Sequence, residues 1–460
     1  MVRRKVRGRI RFSSEQYLPL GFLVLIFAGA ALLMIPAATA PGEKTTFLTA
    51  LFTSTTSVCV TGSVVVDTYL HWSLFGKVVI LFLIQLGGLG LISVLGFFAN
   101  MAKKNFSLKE VLLLRDAYNL DSAKGIQDFL KRVWYGTMLV EMLGAGGYMI
   151  VFIPQYGLAR GIWYSVFTAV SAFCNAGIDI MGPDSLIRYN SNPWVMTVTM
   201  VMIIMGGIGY VVWFDLSGGL TQQLQKRTRA RRTFRRLREH TRLVLILTAV
   251  LIGAGAALFF LFEHGNPDTL GHMPLGQKIW NSVFQSVTCR TAGFSTVPQE
   301  KLTEASCLVG DVLMFIGGSP VGTAGGVKTI TMFVLLLSVL AFIRNQNEVH
   351  FLRRRISLEM LRKAMAIITV HLFIAIAACL ALMAATGTSL NDALYEIMSA
   401  VSTVGLSRGL TPHLNAAGRL IVILTMYFGR IGPISMFLFF QSKKMKEDGV
   451  SYADGNYIIG

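Results

Sequence analysis

The apolar positions of this chain fall into long blocks separated by short polar or basic segments. Eight blocks are apolar over the roughly 18 residues that mark a bilayer span, and they occur in pairs. The first members of the pairs cover residues 18–37, 133–153, 241–263 and 364–386. The second members cover residues 74–100, 194–216, 308–342 and 415–440. The pattern predicts eight membrane-spanning helices.

Between the two members of each pair lies a shorter segment of moderate hydrophobicity. These segments read TTFLTALFTSTTS, WYSVFTAVSAF, IWNSVFQSVT and ALYEIMSAVS. Their aromatic and apolar residues have helical spacing, but the segments are too short to cross a bilayer. We expect short helices that enter the membrane and return, followed by irregular backbone inside a protein-enclosed, wet cavity. The fold class expected is therefore an all-α polytopic membrane protein with eight spanning helices and four re-entrant loops.

Glycine landmarks divide the chain into four similar units. The short segments are followed by TSVCVTG, SAFCNAG, CRTAG and VSTVG, which end at Gly62, Gly177, Gly293 and Gly405. Successive glycines are 115, 116 and 112 residues apart, and a second glycine cluster follows each of them. Those clusters lie at 87–90, 206–209, 317–318 and 429–432. A long period with two landmarks in fixed order indicates one structural unit used four times. The predicted repeats are 1–132, 133–240, 241–363 and 364–460.

Composition supports membrane residence. The chain is 53% hydrophobic and only 14% charged, where a soluble protein carries about 25% charged residues. Its mean hydropathy is +0.58. The first apolar block follows a basic flank, but no small-residue cleavage site comes after it, so we interpret it as a retained helix.

The formal charge of +18 records topology rather than nucleic-acid binding. Of the 42 Lys and Arg residues, 31 lie in alternate polar segments. Those segments are 1–11, 103–132, 226–242, 344–363 and 443–446. The positive-inside rule assigns them, and both termini, to the cytoplasm of a cell-membrane protein, with attraction to lipid headgroups as a secondary effect. Segment 226–242 is expected to be a solvated, lipid-facing helix, and a docking surface for a cytoplasmic partner is a second interpretation that is compatible with the first.

Five cysteines form no disulfide framework or metal-ligand spacing, and we interpret them as packing residues. Two motifs that resemble enzyme signatures do not meet the requirements of those signatures. Gly405–Gly409 matches GxSxG but follows a pore segment instead of a strand. The loop before Lys328 lacks the second glycine of a phosphate-binding loop, because Val327 stands there. We therefore expect neither an enzyme nor a bound cofactor.

The four landmark segments are candidates for cation selection. Four units around one axis place four copies of a backbone segment face to face, and rings of backbone carbonyl oxygens can replace the hydration shell of a potassium ion. Glycine is suited to such a path because it adopts positive φ freely. The predicted ion-binding residues are Val60, Thr61, Gly62, Asn175, Ala176, Gly177, Thr291, Ala292, Gly293, Thr403, Val404 and Gly405. The only metal ion expected is potassium at these residues.

The third repeat carries a glycine-rich run in its second apolar block. FIGGSPVGTAGGVKT has five glycines and a proline, which make a continuous helix improbable. The predicted gate residues are Gly317, Gly318, Ser319, Gly322, Gly325, Gly326 and Arg430. A kinked helix is the alternative for the run. Arg430 lies inside a span, where it either forms a structural salt bridge or sits below the ion path.

The segments SAFCNAGID, CRTAGFST and STVGLSRG resemble the TrkH/KtrB/HKT superfamily of potassium-translocating membrane subunits, most of all its KtrB branch. The resemblance covers essentially the whole chain. It implies four M1–pore loop–M2 repeats around a single pseudo-fourfold pore, with the filter glycines at Gly62, Gly177, Gly293 and Gly405. It also implies gating by the broken third-repeat helix, a homodimer, and regulation by a cytoplasmic nucleotide-binding RCK (KtrA-like) ring.

The resulting expectation is potassium uptake, either passive or stimulated by sodium. Two alternatives come from other functional classes. A secondary transporter with alternating access would use broken helices for an organic or anionic solute, but such carriers usually show two inverted halves. A non-transporting membrane scaffold is the other. Ion flux into proteoliposomes separates the three.

Overall fold

A computed structural model describes residues 14–90, 126–226, 234–346, 348–351 and 354–432. The first predicted repeat contains α1 (Ser14–Leu33), α2 (Phe47–Cys59), α3 (Thr68–His71) and α4 (Leu74–Leu89). The second contains α5 (Ile126–Tyr156), α6 (Leu158–Phe173), α7 (Pro193–Gly207) and α8 (Tyr210–Lys226). The third contains α9 (Glu239–Glu263), α10 (Leu275–Thr288), α11 (Glu304–Phe315) and α12 (Thr329–Ile343). The fourth contains α13 (Leu358–Thr386), α14 (Leu390–Val401) and α15 (Ala416–Ile431).

Short polar side chains begin most of these helices. Ser and Thr hydroxyls, or Asx carboxylate and amide oxygens, accept hydrogen bonds from free N–H groups in the first helical turn, which ordinarily stabilises a helix by about 1 kcal/mol. Such N-caps are present at Thr46, Asp67, Ser73, Asn192, Thr303, Ser357, Ser389 and Asn415. Helix α1 ends before the predicted limit of residue 37, because Pro36 begins a separate 3₁₀ turn.

Among the described residues, three helices are long and apolar enough to cross a membrane by themselves: α5, α9 and α13. The pair α7 and α8 would add a fourth span, bent by 104° at its break. Helices α1, α4 and α12 are apolar but shorter. The predicted second spans at 74–100 and 415–440 run into 91–100 and 433–440, which lie outside the described residues. The chain is a multi-pass membrane protein, and the number eight stays a prediction.

The structure is mostly helical, as predicted, and a short hairpin adds two strands that the sequence did not indicate. Two strands, β1 (His350–Phe351) and β2 (Arg354–Arg355), pair antiparallel within the predicted cytoplasmic segment 344–363. The register sets His350 opposite Arg355, and Ile356 N–H donates to the carbonyl of Val349 at 2.8 Å. This pairing could not be predicted from the charged segment, because two residues per strand are too few to produce a period-2 pattern.

Burial is distributed as expected in lipid. The long helices expose large apolar side chains, among them Tyr135, Leu143 and Phe373, each about two-thirds exposed. The short helices α2, α6, α10 and α14 are enclosed by the long ones, and α2, α6 and α10 are rich in hydroxyl groups. In α2, five consecutive residues, 53–57, are Thr or Ser, and all are buried. The centre of the molecule is therefore polar and its periphery apolar, an arrangement that positions the site described next.

Candidate functional site

The four landmark segments directly follow the ends of α2, α6, α10 and α14, and they share one backbone pattern. The first residue of each triad has left-handed φ: Val60 (55°), Asn175 (58°), Thr291 (67°) and Thr403 (53°). The terminal glycine has positive φ as well: Gly62 (101°), Gly177 (64°), Gly293 (85°) and Gly405 (93°). The middle residue does not. The same backbone conformation is therefore repeated in all four segments, although their residues differ.

Left-handed φ at Val60, Thr291 and Thr403 is unfavourable because their side chains are β-branched, and such positions cost on the order of 1–3 kcal/mol each. Hydrogen bonds from the preceding helices hold the conformation. Thr56 accepts twice: its carbonyl from Thr61 N–H (2.9 Å) and its hydroxyl from Gly62 N–H (2.9 Å).

Ser399 repeats both bonds in the fourth segment. Its carbonyl accepts from Val404 N–H at 2.8 Å, and its hydroxyl accepts from Gly405 N–H at 2.9 Å. In the other two segments the hydroxyl donates instead. Ser171 Oγ donates to the carbonyl of Ile178 (2.6 Å), and Thr288 Oγ1 donates to that of Phe294 (2.6 Å). Hydroxyl groups near the ends of the short helices thus stabilise the backbone of the segments that follow.

The four segments meet in a closed ring, which we call the glycine ring: Gly62, Gly177, Gly293, Gly405 and the residue before each. A Cβ atom at Gly62 or at Gly177 would lie 2.5 Å from the carbonyl oxygen of the next segment, Ala176 or Ala292. A Cβ at Gly293 would overlap the carbonyl of Val404, and one at Gly405 that of Thr61. No side chain fits at these separations, so each glycine is required by close backbone approach.

The triads are enclosed by protein. The middle residues Thr61, Ala176, Ala292 and Val404 are fully buried. Within the described part of the chain, the buried hydroxyls of Thr61 and Thr403 have no hydrogen-bond partner. The structure therefore brings together all twelve predicted ion-binding residues, in the order of the repeats, around a common centre.

Immediately below the glycine ring, three of the second glycine clusters play the same part. A Cβ at Gly87, Gly206 or Gly429 would overlap a carbonyl in the last turn of a short helix. The carbonyls belong to Val58, Phe173 and Val401, each four residues before a ring glycine. The glycines allow the second helices to pack against the short helices at backbone contact.

The third repeat departs from that arrangement. Helix α11 ends at Phe315 and α12 begins at Thr329, and we call the residues between them, 316–328, the inner loop. Its two ends are joined, because Gly317 N–H donates to Val327 (2.9 Å) and Thr329 N–H donates to Gly318 (3.1 Å). The predicted interruption of the helix is present, and it is a loop rather than a kink.

The inner loop is attached to the second repeat. Ser319 N–H donates to Gly207 (2.9 Å), and Tyr210 N–H donates to the carbonyl of Val321 (3.0 Å). On its other side the loop reaches the fourth triad, since a Cβ at Gly325 would overlap Thr403 Oγ1. Loop residues therefore lie directly against a triad.

Arg430 joins three repeats. Its Nη1 donates to the carbonyl of Thr323 at 2.6 Å, and its Nη2 donates to Gly87 (2.5 Å) and more weakly to Gly88 (3.4 Å). Arg430 forms no salt bridge with any described residue. Within the described part of the chain, the alternative of a structural salt bridge is therefore not found. The acceptors are backbone carbonyls, which a buried guanidinium can satisfy with its planar set of N–H donors.

The sequence pattern did not indicate Thr323, because the glycines around it are the dominant feature of the run. Its N–H donates to Gly206 (3.1 Å), its hydroxyl donates to Phe173 (3.0 Å), and its carbonyl accepts from Arg430. One residue of the inner loop is thus bonded through all three of its polar groups. A lone threonine among five glycines was the available signal.

Asp179 was also missed, although it lies two residues after Gly177. It is in the loop between α6 and α7, outside the spanning helices, and its carboxylate accepts from Met181 N–H at 3.3 Å. Burial raises the pKa of Asp179 to about 7, and the nearby negative charge of Asp67 adds to the rise. The Met181 hydrogen bond, a hydrogen bond from Ser185 and the charge of Arg188 act in the opposite direction.

Other polar groups near the site have packing roles. Glu141 in α5 accepts from Gln85 Nε2 (3.2 Å) and from the Cys174 thiol (3.9 Å). All five cysteines are free and buried. Among the described residues, no group of three or more His, Cys, Asp or Glu side chains could hold a metal ion.

The chain is similar to known cation transport proteins over nearly all of its length. The profile of the TrkH family, described as cation transport protein, matches residues 14–451. The chain is 36% identical over 456 residues to the Ktr system potassium uptake protein B of Bacillus subtilis, covering 99% of each chain. It is 34% identical over 461 residues to the potassium/sodium uptake protein NtpJ of Enterococcus hirae, again covering 99% of both.

A solved structure has the same fold. The crystal structure of the potassium transporter TrkH from Vibrio parahaemolyticus superposes with a TM-score of 0.73 at 16% identity, over 95% of this chain and 86% of that one. At that identity the likeness concerns the fold alone.

Proposed function

Because this chain belongs to the TrkH family of cation transport proteins, we propose that it takes up potassium ions through the glycine ring. The observation that carries the proposal is the ring itself. Four segments with the same φ pattern are in backbone contact in cyclic order, so their carbonyl oxygens are available to a dehydrated alkali cation. The filter comprises the four triads ending at Gly62, Gly177, Gly293 and Gly405.

The two relatives differ in their named ions, potassium for one and potassium with sodium for the other. We propose potassium as the main substrate here, with sodium as stimulator or competitor. The triads are built from Val, Thr, Asn and Ala beside glycine, and none of them adds a charged side chain that would trap the ion.

For the topology, we propose four repeats of spanning helix, re-entrant helix and spanning helix around one pseudo-fourfold axis. The alternation of basic segments supports a cell-membrane protein with both termini in the cytoplasm. In this orientation the glycine ring faces the outer entrance, and the inner loop lies between the ring and the cytoplasm.

We propose that the inner loop is the gate and that Arg430 holds it closed. The support is the pattern of bonds: the loop is anchored to the second repeat by Ser319 and Thr323, and to the fourth by Arg430. Backbone hydrogen bonds of this kind can be exchanged without unfolding a helix, because the loop has no regular structure to lose.

The proposed assembly is a homodimer with one pore per chain, regulated by a cytoplasmic nucleotide-binding RCK (KtrA-like) ring. This part rests on the family resemblance and on the basic segments at the inner face. We assign the docking of the RCK ring to segment 226–242. Residues 227–233 of that segment lie outside the described part of the chain.

The test is potassium influx into proteoliposomes containing the purified chain. We expect influx down a potassium gradient, and we expect Gly405→Ser to change the ratio of potassium to sodium flux. Unaltered ion preference and flux in Gly405→Ser would refute the filter. No cation flux from folded wild-type protein would instead favour the scaffold alternative.

Deletion within residues 317–326 tests the gate separately. Shortening the inner loop should raise potassium influx, because it removes the bonds to Gly206 and Gly207 while the triads stay in place. Influx that is unchanged by the deletion would argue against a gate while leaving the filter proposal intact.

A further inference from the structure

Arg290 is a buried charge without a partner. It lies three residues before Gly293, where the other repeats have Cys59, Cys174 and Ser402. The residue is 7% exposed. Its backbone N–H donates to Val287 (3.1 Å), but its guanidinium donates no hydrogen bond to any described residue, and its Nε is completely buried. By contrast, the side chains of Arg430 and Lys328 at the inner loop donate to backbone carbonyls, Arg430 to Thr323 and Lys328 to Ala324.

Arg290 lines a cavity of about 10 Å³ between the second and third repeats. Its walls include Ile208, Ile252, Gly207 and Gly318. A cavity of this size holds about one water-sized particle. None of the residues lining this cavity carries a carboxylate.

An unpaired buried guanidinium is unfavourable by several kcal/mol, because desolvation is not offset by a counter-charge. The carboxyl end of helix α10 provides some negative potential, since Arg290 follows its last residue by two positions. That dipole does not satisfy the N–H donors of the side chain. A water molecule would accept a hydrogen bond but would leave the charge uncompensated.

We propose that this cavity binds a single small monovalent anion, chloride in ordinary salt, coordinated by the Arg290 guanidinium. A phospholipid phosphate is excluded by depth, since Arg290 follows a re-entrant helix that enters from one face and ends inside the protein. The apolar walls favour a weakly hydrated ion over one that needs further hydrogen bonds.

The position of the anion ties it to the inner loop. Gly318 belongs to the loop, and Gly207 accepts the Ser319 N–H that anchors it. The bound anion also cancels a positive charge on the residue immediately before the third triad, a charge that would otherwise repel potassium. This second consequence rests on the proposed filter, whereas the binding site does not.

Thermal unfolding of the detergent-solubilised full chain tests binding without transport. Potassium chloride is replaced stepwise by potassium gluconate at constant potassium, so that occupancy of the filter by potassium stays fixed. For the wild type we expect Tm to fall by a few degrees as chloride is removed, because the ligand binds the native state alone. The chloride response should disappear in Arg290→Gln and persist, weakened, in Arg290→Lys.

Arg408→Gln is the matched control, because Arg408 is also an arginine close to a triad but pairs with Asp392 at 3.5 Å. It should keep the full chloride response. An equal response in wild type and Arg290→Gln, or none in either, would overturn the proposal.

Bromide replaces chloride in a second measurement that needs no variant. Crystals grown in potassium bromide should show one anomalous peak between Arg290, Gly207 and Gly318. Electron density for water without an anomalous signal would overturn the proposal. Potassium influx in gluconate separates this outcome from a failure of the filter, because influx tests the glycine ring whether or not the anion site exists.

Discussion

The glycine ring and the layer of glycines beneath it differ in symmetry. In the ring, all four repeats use the same backbone conformation and the same contact with the next segment. In the layer beneath, the first, second and fourth repeats pack Gly87, Gly206 and Gly429 against a short helix. In the third repeat the inner loop stands at this level instead. Coordination of one ion by four segments requires equivalence, whereas an obstruction under the ring requires that one segment differ.

The same comparison separates two uses of glycine. In the ring, glycine is needed for positive φ and for carbonyl contact together. Beneath it, Gly87, Gly206 and Gly429 are helical, and only contact is involved. In the inner loop, five glycines instead weaken the helix, at about 1 kcal/mol for each helical position. Substitutions should therefore have different consequences at the three places.

The largest effect is expected at the ring. Gly177→Ala adds a Cβ 2.5 Å from the Ala292 carbonyl and 2.7 Å from Gly293 Cα, at a φ of +64°. Strain and overlap together amount to about 3 kcal/mol, so potassium influx should fall by about a hundredfold. Gly253→Ala is the control, since nothing lies within 4 Å of that helical glycine. Wild-type influx in Gly177→Ala would contradict the ring as the ion path.

One layer lower, two adjacent glycines should differ in stability. A Cβ at Gly206 would overlap the Phe173 carbonyl, while one at Gly207 finds its nearest atom at an ordinary 3.5 Å. Gly206→Ala should therefore lower the free energy of unfolding by about 1–3 kcal/mol, and Gly207→Ala should leave it within about 0.5 kcal/mol. Denaturant unfolding of both variants measures the difference. Equal destabilisation would mean that the contact beneath the ring is not specific.

The inner loop should respond to a single hydroxyl. Thr323→Val keeps the shape of the side chain but removes the bond to Phe173, worth about 1 kcal/mol, and the influx of potassium should rise about fivefold. Thr425→Val is the control: that hydroxyl is also buried but bonds within its own helix, to Ile421. If the two variants behave alike, Thr323 does not hold the loop.

Asp179 carries a carboxylate two residues after its ring glycine, where the other repeats have Val64, Ser295 and Ser407. Its raised pKa of about 7 means that the carboxylate is neutral below that pH and charged above it. Potassium influx should therefore decline about two- to threefold as the external pH falls from 8 to 6, because a local attraction for cations is lost.

Asp179→Asn should remove this pH dependence and hold influx at the low-pH level throughout. The other charged groups near Asp179, which are Asp67 and Arg188, are unchanged in that variant. A pH profile that survives the substitution would assign the titration to another group.

The smallest effect is expected at Glu141. Glu141→Gln preserves an oxygen that can accept from Gln85 Nε2, so influx should change by less than about twofold. Glu141→Leu, which leaves Gln85 unpaired, should lower stability by about 1–3 kcal/mol with little effect on ion preference. A large loss of influx in Glu141→Gln would place this carboxyl in the transport path.

Much of the architecture could be predicted because it is local and repeated. The helical class, the four short helices, the ring glycines and the interruption at 316–328 follow from hydrophobic length, period and glycine content. The β1–β2 pair was missed, because two residues per strand are too few for a pattern.

Contacts between distant residues were decided by the tertiary structure alone. The sequence indicated that Arg430 lies within a span, but its acceptors, Thr323 and Gly87, are 107 and 343 residues away. Left-handed φ at Val60 and Thr403 opposes local preference, and hydrogen bonds to acceptors in the preceding helix stabilise the segments that contain them. Composition and period determine which segments enter the membrane. Which carbonyl accepts a given donor, and which charge finds no acceptor, depends on how four remote segments close around one centre.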